Sequence, residues 1–256
     1  MSRGITYVAW GKCIAEAERS SMSAKRFGYK SCLITNENIE SNYFDKIIKS
    51  REEFTQDFNI LSSYNLSPWD ETLWLDSDTL VLGNLDYAFE KAKDFGISIV
   101  IAPHSFLGGR NLKNIDNESP EYNCGAMWID RNHPSMLNFG EKWQQIVDHY
   151  EGGGWWSDQS SVSYAIHKLK INAFVLPLNW NFRAFMNKDF PEGVLHSKNG
   201  YGPIKIWHSR TSVPENLKID EYIWWTLEEK PFISKLISKT LKKIKNTKSF
   251  IEFLNK

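Results

Sequence analysis

Along the first half of the chain, short apolar runs alternate with longer stretches whose apolar residues recur at helical spacing. Residues 5–10 (ITYVAW) read as a strand, 13–27 (CIAEAERSSMSAKRF) as a helix and 31–35 (SCLIT) as a second strand. The alternation returns in 73–76 (LWLD), 85–95 (LDYAFEKAKDF) and 97–102 (ISIVIA). Further on, 122–130 (YNCGAMWID) reads as a strand and the stretch from about His133 to His149 as a helix. Two more strands are expected at 172–178 (NAFVLPL) and 204–210 (IKIWHSR). Strand, helix and strand in succession predict an α/β fold with a mainly parallel central sheet covered by helices. In such sheets ligands meet the carboxyl ends of the strands.

Two loops stand out between these elements. Residues 106–121 (FLGGRNLKNIDNESPE) form a polar segment longer than most connections, and 151–156 (EGGGWW) is glycine-rich and opens into a helix that runs to Leu169. No internal repeat is visible. From Pro231 onward the composition changes, with seven lysines against one glutamate and Ile233, Ile237, Leu241 and Ile244 at helical spacing. That is a basic amphipathic helix, which either lies on an anionic membrane surface or docks with its lysine face solvated. The expected division is a single domain over 1–228 and a helical tail over 229–256.

Composition narrows the partners. With 256 residues the chain suits one large domain or two small ones, and its 31 basic and 31 acidic residues cancel. A balanced chain carries no overall footprint for nucleic acid. Cys13, Cys32 and Cys124 are too few and too scattered for a disulfide framework or a zinc site, and an odd count fits a reducing compartment. The amino terminus (MSRGITYVAWGK) has no long apolar core of a leader, and no run approaches the roughly 18 apolar residues of a membrane span. A cytoplasmic protein, touching a membrane only through 231–256, is expected. The chain holds 11 Trp and 10 Tyr, and any of these lying in loops would suit the C–H faces of sugar rings.

The chemistry concentrates at Asp76-Ser77-Asp78, where two carboxylates end the run Leu-Trp-Leu. Charges are costly in an apolar strand unless paired or bound to a metal. An EF-hand loop fails, because Leu80 and Val81 stand where its glycine and oxygen ligands belong. A haloacid-dehalogenase phosphatase also uses Asp-x-Asp, but Leu80 replaces its Thr or Val and its later acidic pair is missing. A clamp for Mg²⁺ or Mn²⁺ on a nucleoside diphosphate needs only one or two carboxylates and remains open. So does a local Asx-turn, common where Asp ends a strand.

The surroundings add a family. The segment SPWDETLWLDSDTLVLGNLD (67–86) resembles the Asp-x-Asp region of nucleotide-sugar glycosyltransferases of the GT-A fold, especially the retaining type of glycogenin and the bacterial lipooligosaccharide galactosyltransferases. YVAWGKCIAEAERSSMSAKRFG (7–28) is similar to their first strand and helix, and YNCGAMWIDRN (122–132) to their Asn-x-Gly strand. WWSDQSSVSYAI (155–166) resembles their Asp-Gln helix start, and IKIWHS (204–209) the late strand whose His completes the metal site. In the family's order these segments span about 5–210.

The resemblance implies a GT-A (Rossmann-like) domain over 1–228. It implies that Asp76, Asp78 and His208 bind a divalent cation, Mn²⁺ or Mg²⁺, with Asp76 also near the ribose and Ser77 beside the donor. It sets Val8, Ala9 and Trp10 around the base, Asn123 and Gly125 beside the donor sugar, and Asp158 and Gln159 against the sugar and its anomeric carbon. For Asp158 the local alternative is a helix N-cap, shared with Ser157. Retention, by a front-face route or a covalent intermediate, is implied as well.

The chain departs from relatives in two places. The helix that the resemblance implies before Asp-x-Asp offers Gln56 and Asn59, with Lys49 and Arg51 upstream, where relatives carry a phosphate-binding Lys or Arg; Arg210 is the candidate substitute. His104 stands where relatives often have an acid. The expected function is transfer of a sugar from a nucleotide donor, most simply UDP-linked, to a glycan or lipid-linked acceptor, with 106–121, 151–156, Trp155 and Trp156 as acceptor walls. A non-catalytic binder of nucleotide sugars on the same fold is the alternative, with a phosphatase behind it.

Overall fold

A computed structural model of the chain describes residues 1–54, 58–106, 110–154, 156–183 and 204–208, with the backbone alone described at 103–106. The Lys-rich tail, Gln56, Trp155 and Arg210 lie outside these residues.

The described elements, in chain order, are β1 (Arg3–Val8), α1 (Cys13–Lys25), β2 (Ser31–Thr35), β3 (Lys46–Lys49), α2 (Asn59–Ser63), β4 (Glu71–Leu75) and β5 (Thr79–Val81). They continue through α3 (Asp86–Phe95), β6 (Ile97–Phe106), β7 (Pro120–Asp130), α4 (Phe139–Asp148), α5 (Asp158–Lys168), β8 (Phe174–Leu176), β9 (Phe182–Arg183) and β10 (Ile206–His208). Seven strands form the main sheet in the order β3-β2-β1-β4-β7-β6-β8, and β5-β10-β9 form a small second sheet. In the main sheet β7 is antiparallel to both its neighbours and every other pairing is parallel, so six of the seven strands point one way.

The strands read as unbroken apolar runs because both faces of the sheet are covered. Leu73 and Leu75 of β4 face one core with Ile5, Tyr7, Leu33, Phe89 and Trp128, while Trp74 between them faces another with Ile34, Met127, Ile129, Trp143 and Val162. Helix α1 docks differently. Its buried face carries Ser20, Ser21 and Ser23, and hydroxyls do the joining: Ser20 Oγ lies 2.8 Å from Thr79 Oγ1, and the Val81 N–H donates to Ser23 Oγ at 2.8 Å. The strand that follows Asp78 is thereby pinned to the first helix.

The boundaries differ from those expected: β1 is Arg3–Val8 rather than 5–10, and β8 is Phe174–Leu176 rather than 172–178. β6 continues to Phe106 and β7 starts at Pro120, so the polar connection is shorter than the 106–121 expected. The helix expected from His133 is split: a 3-10 turn at Pro134–Met136 ends in extended Leu137, and Asn138, left-handed at φ 57°, restarts the chain as α4. Asn tolerates that conformation better than most residues. β3, β5 and β9, each four residues or fewer, were not expected, while α2, which begins at Asn59, falls where the resemblance implied a helix before Asp-x-Asp.

Candidate metal and donor site

Asp76 is the first residue beyond β4. The Asp76 N–H donates to the Gly125 carbonyl at 3.0 Å, and the Thr79 hydroxyl donates to the Asp76 carbonyl at 2.7 Å, closing the Asp-Ser-Asp turn. In the small sheet β10 runs antiparallel to β5 with His208 opposite Thr79, which brings the imidazole over the turn. His208 Nε2 then stands 3.3 Å from Asp76 Oδ2 and 3.1 Å from Asp78 Oδ1. The residues expected as metal ligands come together, their liganding atoms all within 4.8 Å of one another.

The other ring nitrogen fixes the tautomer. His208 Nδ1 lies 2.8 Å from Asn181 Oδ1, an acceptor, so Nδ1 carries a proton and Nε2 is the nitrogen turned toward the carboxylates. Two carboxylates side by side call for a positive charge among them, a proton on Nε2 in the bare site or a cation in the place of that proton. A hard or borderline divalent cation fits that donor set, and the Asn181–His208 bond is the outer support a metal-binding His normally has. His208 is 1% exposed, whereas the Asp76 side chain is 38% exposed, so one side remains open to further oxygen ligands. Burial works to raise the Asp78 carboxyl, but the His208 hydrogen bond and the charges of His208 and Arg183 hold it below the ordinary carboxylate value.

Gly125 lies beneath this cluster. A Cβ there would run into the His208 ring and come within 2.6 Å of Asp76 Oδ2. The backbone reaches that position through a bulge: Ile99 pairs with Met127 but Val100 with Asn123, leaving Cys124, Gly125 and Ala126 unmatched on the β6 side. Asn123, nearly fully buried, holds the bulge by accepting the Gly125 N–H at 3.0 Å. Bulges beside functional sites commonly re-aim the chain in this way. Burial, with the charges of Asp76 and Asp158 added, pushes the Cys124 thiol well up, which makes it a poor nucleophile.

Val8 ends β1 half-buried, and Trp10 beyond it stands 5.6 Å from the Phe54 ring. Ala9 buries its methyl in the core and donates its N–H to the Ile34 carbonyl at 3.1 Å, so it can offer a ligand only backbone. Ser77 shares a hydrogen bond with Cys13 at the start of α1.

Ser157 is the residue before α5, and its N–H donates to Ser160 Oγ at 2.9 Å. Asp158 serves a different helix. Its two oxygens accept the N–H groups of Ile60 (2.9 Å) and Leu61 (3.0 Å) in the first turn of α2. Burial pushes its pKa up to about 7, the Asp76 charge adds to that, and the backbone hydrogen bonds oppose it. Gln159 donates from Nε2 to Glu121 Oε1 at 3.1 Å. Asn59, the first residue of α2, has its Oδ1 buried without a hydrogen-bond partner among the described residues.

The acceptor walls expected from the loops are braced against each other. Trp156 stacks on Tyr150 with centroids 4.1 Å apart, Tyr150 Oη accepts the Lys113 N–H at 3.0 Å, and Tyr164 Oη donates to the Lys113 carbonyl at 3.2 Å. Sequence reasoning missed Asn181, Glu121 and Arg183. Arg183, 9% exposed, stands opposite His208 in the parallel β9–β10 pairing. A strand of two residues leaves no periodic signal that could have found it.

No protein-family model and no curated protein matches the chain in sequence. Solved structures do match in shape. The galactosyltransferase LgtC, crystallised with donor and acceptor sugar analogues, superposes with a TM-score of 0.60 over 91% of this chain and 99% of its own, at 13% identity. The glycosyltransferase GlyE of Streptococcus pneumoniae TIGR4 gives 0.58 over 95% of this chain and 64% of its own, at 16% identity. Mouse xyloside xylosyltransferase 1 gives 0.52 over 83% and 98%, at 17% identity. The fold is therefore the GT-A fold of these glycosyltransferases, as the resemblance implied.

Proposed function

We propose that the chain is a divalent-cation-dependent glycosyltransferase. It moves a sugar from a nucleoside diphosphate donor, UDP in the simplest reading, to a glycan or lipid-linked acceptor with retention. The observation that carries this reading is the approach of His208 Nε2 to both Asp76 and Asp78, at 3.3 and 3.1 Å, at the rim of a GT-A sheet. The LgtC structure, described with donor and acceptor sugar analogues, supports the same substrate classes here.

In this reading Asp76, Asp78 and His208 hold Mn²⁺ or Mg²⁺, which when bound stabilises the leaving diphosphate as a Lewis acid. Val8, the Ala9 backbone and Trp10 flank the base, and Ser77 lies along the donor. Asn123 offers its amide to the sugar hydroxyls, and Gly125 keeps the space under the clamp clear. Arg210 supplies charge to the diphosphate, with Arg183 behind Asp78 adding to it. Asp158 fixes the wall made by Asn59 to Leu61, and Gln159 lies beside the anomeric carbon. The tail over 231–256 contacts an anionic membrane surface; no helix among the described residues is long and apolar enough to cross one.

Purified chain with Mn²⁺ is expected to release UDP slowly from UDP-galactose or UDP-glucose, and Asp78→Ala to abolish the release. Binding of UDP with Mn²⁺ but no turnover over a panel of donors and acceptors would make it a binder. Phosphate release from simple monoesters instead would make it a phosphatase.

A further inference from the structure

We infer that Glu121 is a positioning residue for the transfer, fixing the Gln159 amide so that its oxygen rather than its nitrogen is presented to the sugar. This rests on the glycosyltransferase reading above.

Glu121 is the second residue of β7 and fully buried. Its Oε1 accepts Gln159 Nε2 at 3.1 Å. An ionised carboxylate can only accept, so the NH₂ edge of the amide must face it and Gln159 Oε1 must face away. Without such a partner a glutamine amide has two orientations of similar energy. Arg110 holds the carboxylate in turn, with Nε 3.0 and 2.9 Å from its two oxygens and Nη2 2.9 Å from Oε1. That fork stops Glu121 from rotating and balances its charge where water is excluded. Replacing a buried ion pair with apolar groups of the same size is often neutral or stabilising, so stability alone is a weak reason for one here. Orientation of Gln159 is what this one supplies.

The orientation matters to the chemistry. As the bond to the diphosphate breaks, positive charge spreads over the anomeric carbon and ring oxygen. The negative end of a fixed carbonyl dipole beside that carbon lowers the barrier, and an N–H in the same place would raise it. Donation from Nε2 to a carboxylate also pushes electron density toward Oε1. Glu121 forms no bond to substrate, and the proton stays on Nε2.

The test is a double-mutant cycle read by UDP release from UDP-galactose and UDP-glucose with Mn²⁺. Glu121→Gln keeps the size but can donate as well as accept, so it no longer selects one orientation. Its kcat is expected to fall about tenfold or more with the donor KM within about twofold, since small misplacements cost this much. In a Gln159→Ala background the same substitution is expected to cost nothing further. An equal loss in both backgrounds would make Glu121 a scaffold residue and overturn the inference, leaving the glycosyltransferase reading intact. Should Glu121→Gln fail to fold, Glu121→Asp, which withdraws the carboxylate by one methylene, goes through the same cycle and is judged the same way. Absence of turnover by the unmodified chain would remove both.

Discussion

The imidazole of His208 hangs from Asn181, with Nδ1 2.8 Å from the amide oxygen, and that bond decides which nitrogen is left for Asp76 and Asp78. Asn181→Ala takes away the support and leaves the three ligands in place. Cation affinity is expected to fall about 10- to 100-fold, the usual consequence of losing an outer partner of a ligating His. Titration of Mn²⁺ followed by calorimetry reads this, and an unchanged affinity would show that Asn181 does not orient the ring.

Gly125→Ala probes the floor of the same cluster. The added methyl meets Asp76 Oδ2 and the His208 ring, which Asn181 holds in place, so the clamp must spread. Cation binding is expected to drop by tenfold or more, with stability reduced by about 1–3 kcal/mol, as for other overpacked sites. A variant that binds Mn²⁺ as tightly as the parent would show that the bulge can shift to make room.

Asp158 gives the fold a pH dependence. Its folded pKa of about 7 lies above the ordinary carboxylate value of 3.8, so the folded state favours the protonated form. The associated stability is complete below about pH 4 and is lost as the pH rises through 7. The full swing is on the order of 4 kcal/mol. Urea unfolding at pH 5 and pH 8 should show the parent losing stability at the higher pH. Asp158→Asn, which cannot ionise, should lose less; an identical difference in both proteins would place the titration elsewhere.

How far the site was legible follows from what each residue depends on. Asp76 and Asp78 announced themselves because two charges break an apolar run, and His208 because a late strand carried it in the family's order. The α/β alternation was readable because strands covered on both faces, such as Leu73 to Leu75, are apolar throughout. Helix α1 packs through serines, so its buried face does not look buried in the sequence. Asp158 was expected either at the sugar or as the cap of its own helix, and the structure puts it on the first turn of α2, 97 residues back in the chain. Nothing local predicts such a bond. Glu121 is hidden for the same reason: its partners, Arg110 and Gln159, are 11 and 38 residues away.

The reversed direction of β7 has a consequence for how this protein can change. A parallel neighbour has to be reached by a crossover, whereas an antiparallel one needs only a turn. β6 ends at Phe106 and β7 begins at Pro120, and these two strand ends lie on the side of the sheet where β4 ends at Leu75, next to Asp76. Insertions or exchanges there alter the ground in front of the cation clamp while every strand keeps its neighbours. One strand running backwards thus sets a connection that carries Arg110 and Lys113, the supports of Glu121 and of Tyr150, beside a clamp built on paired strands.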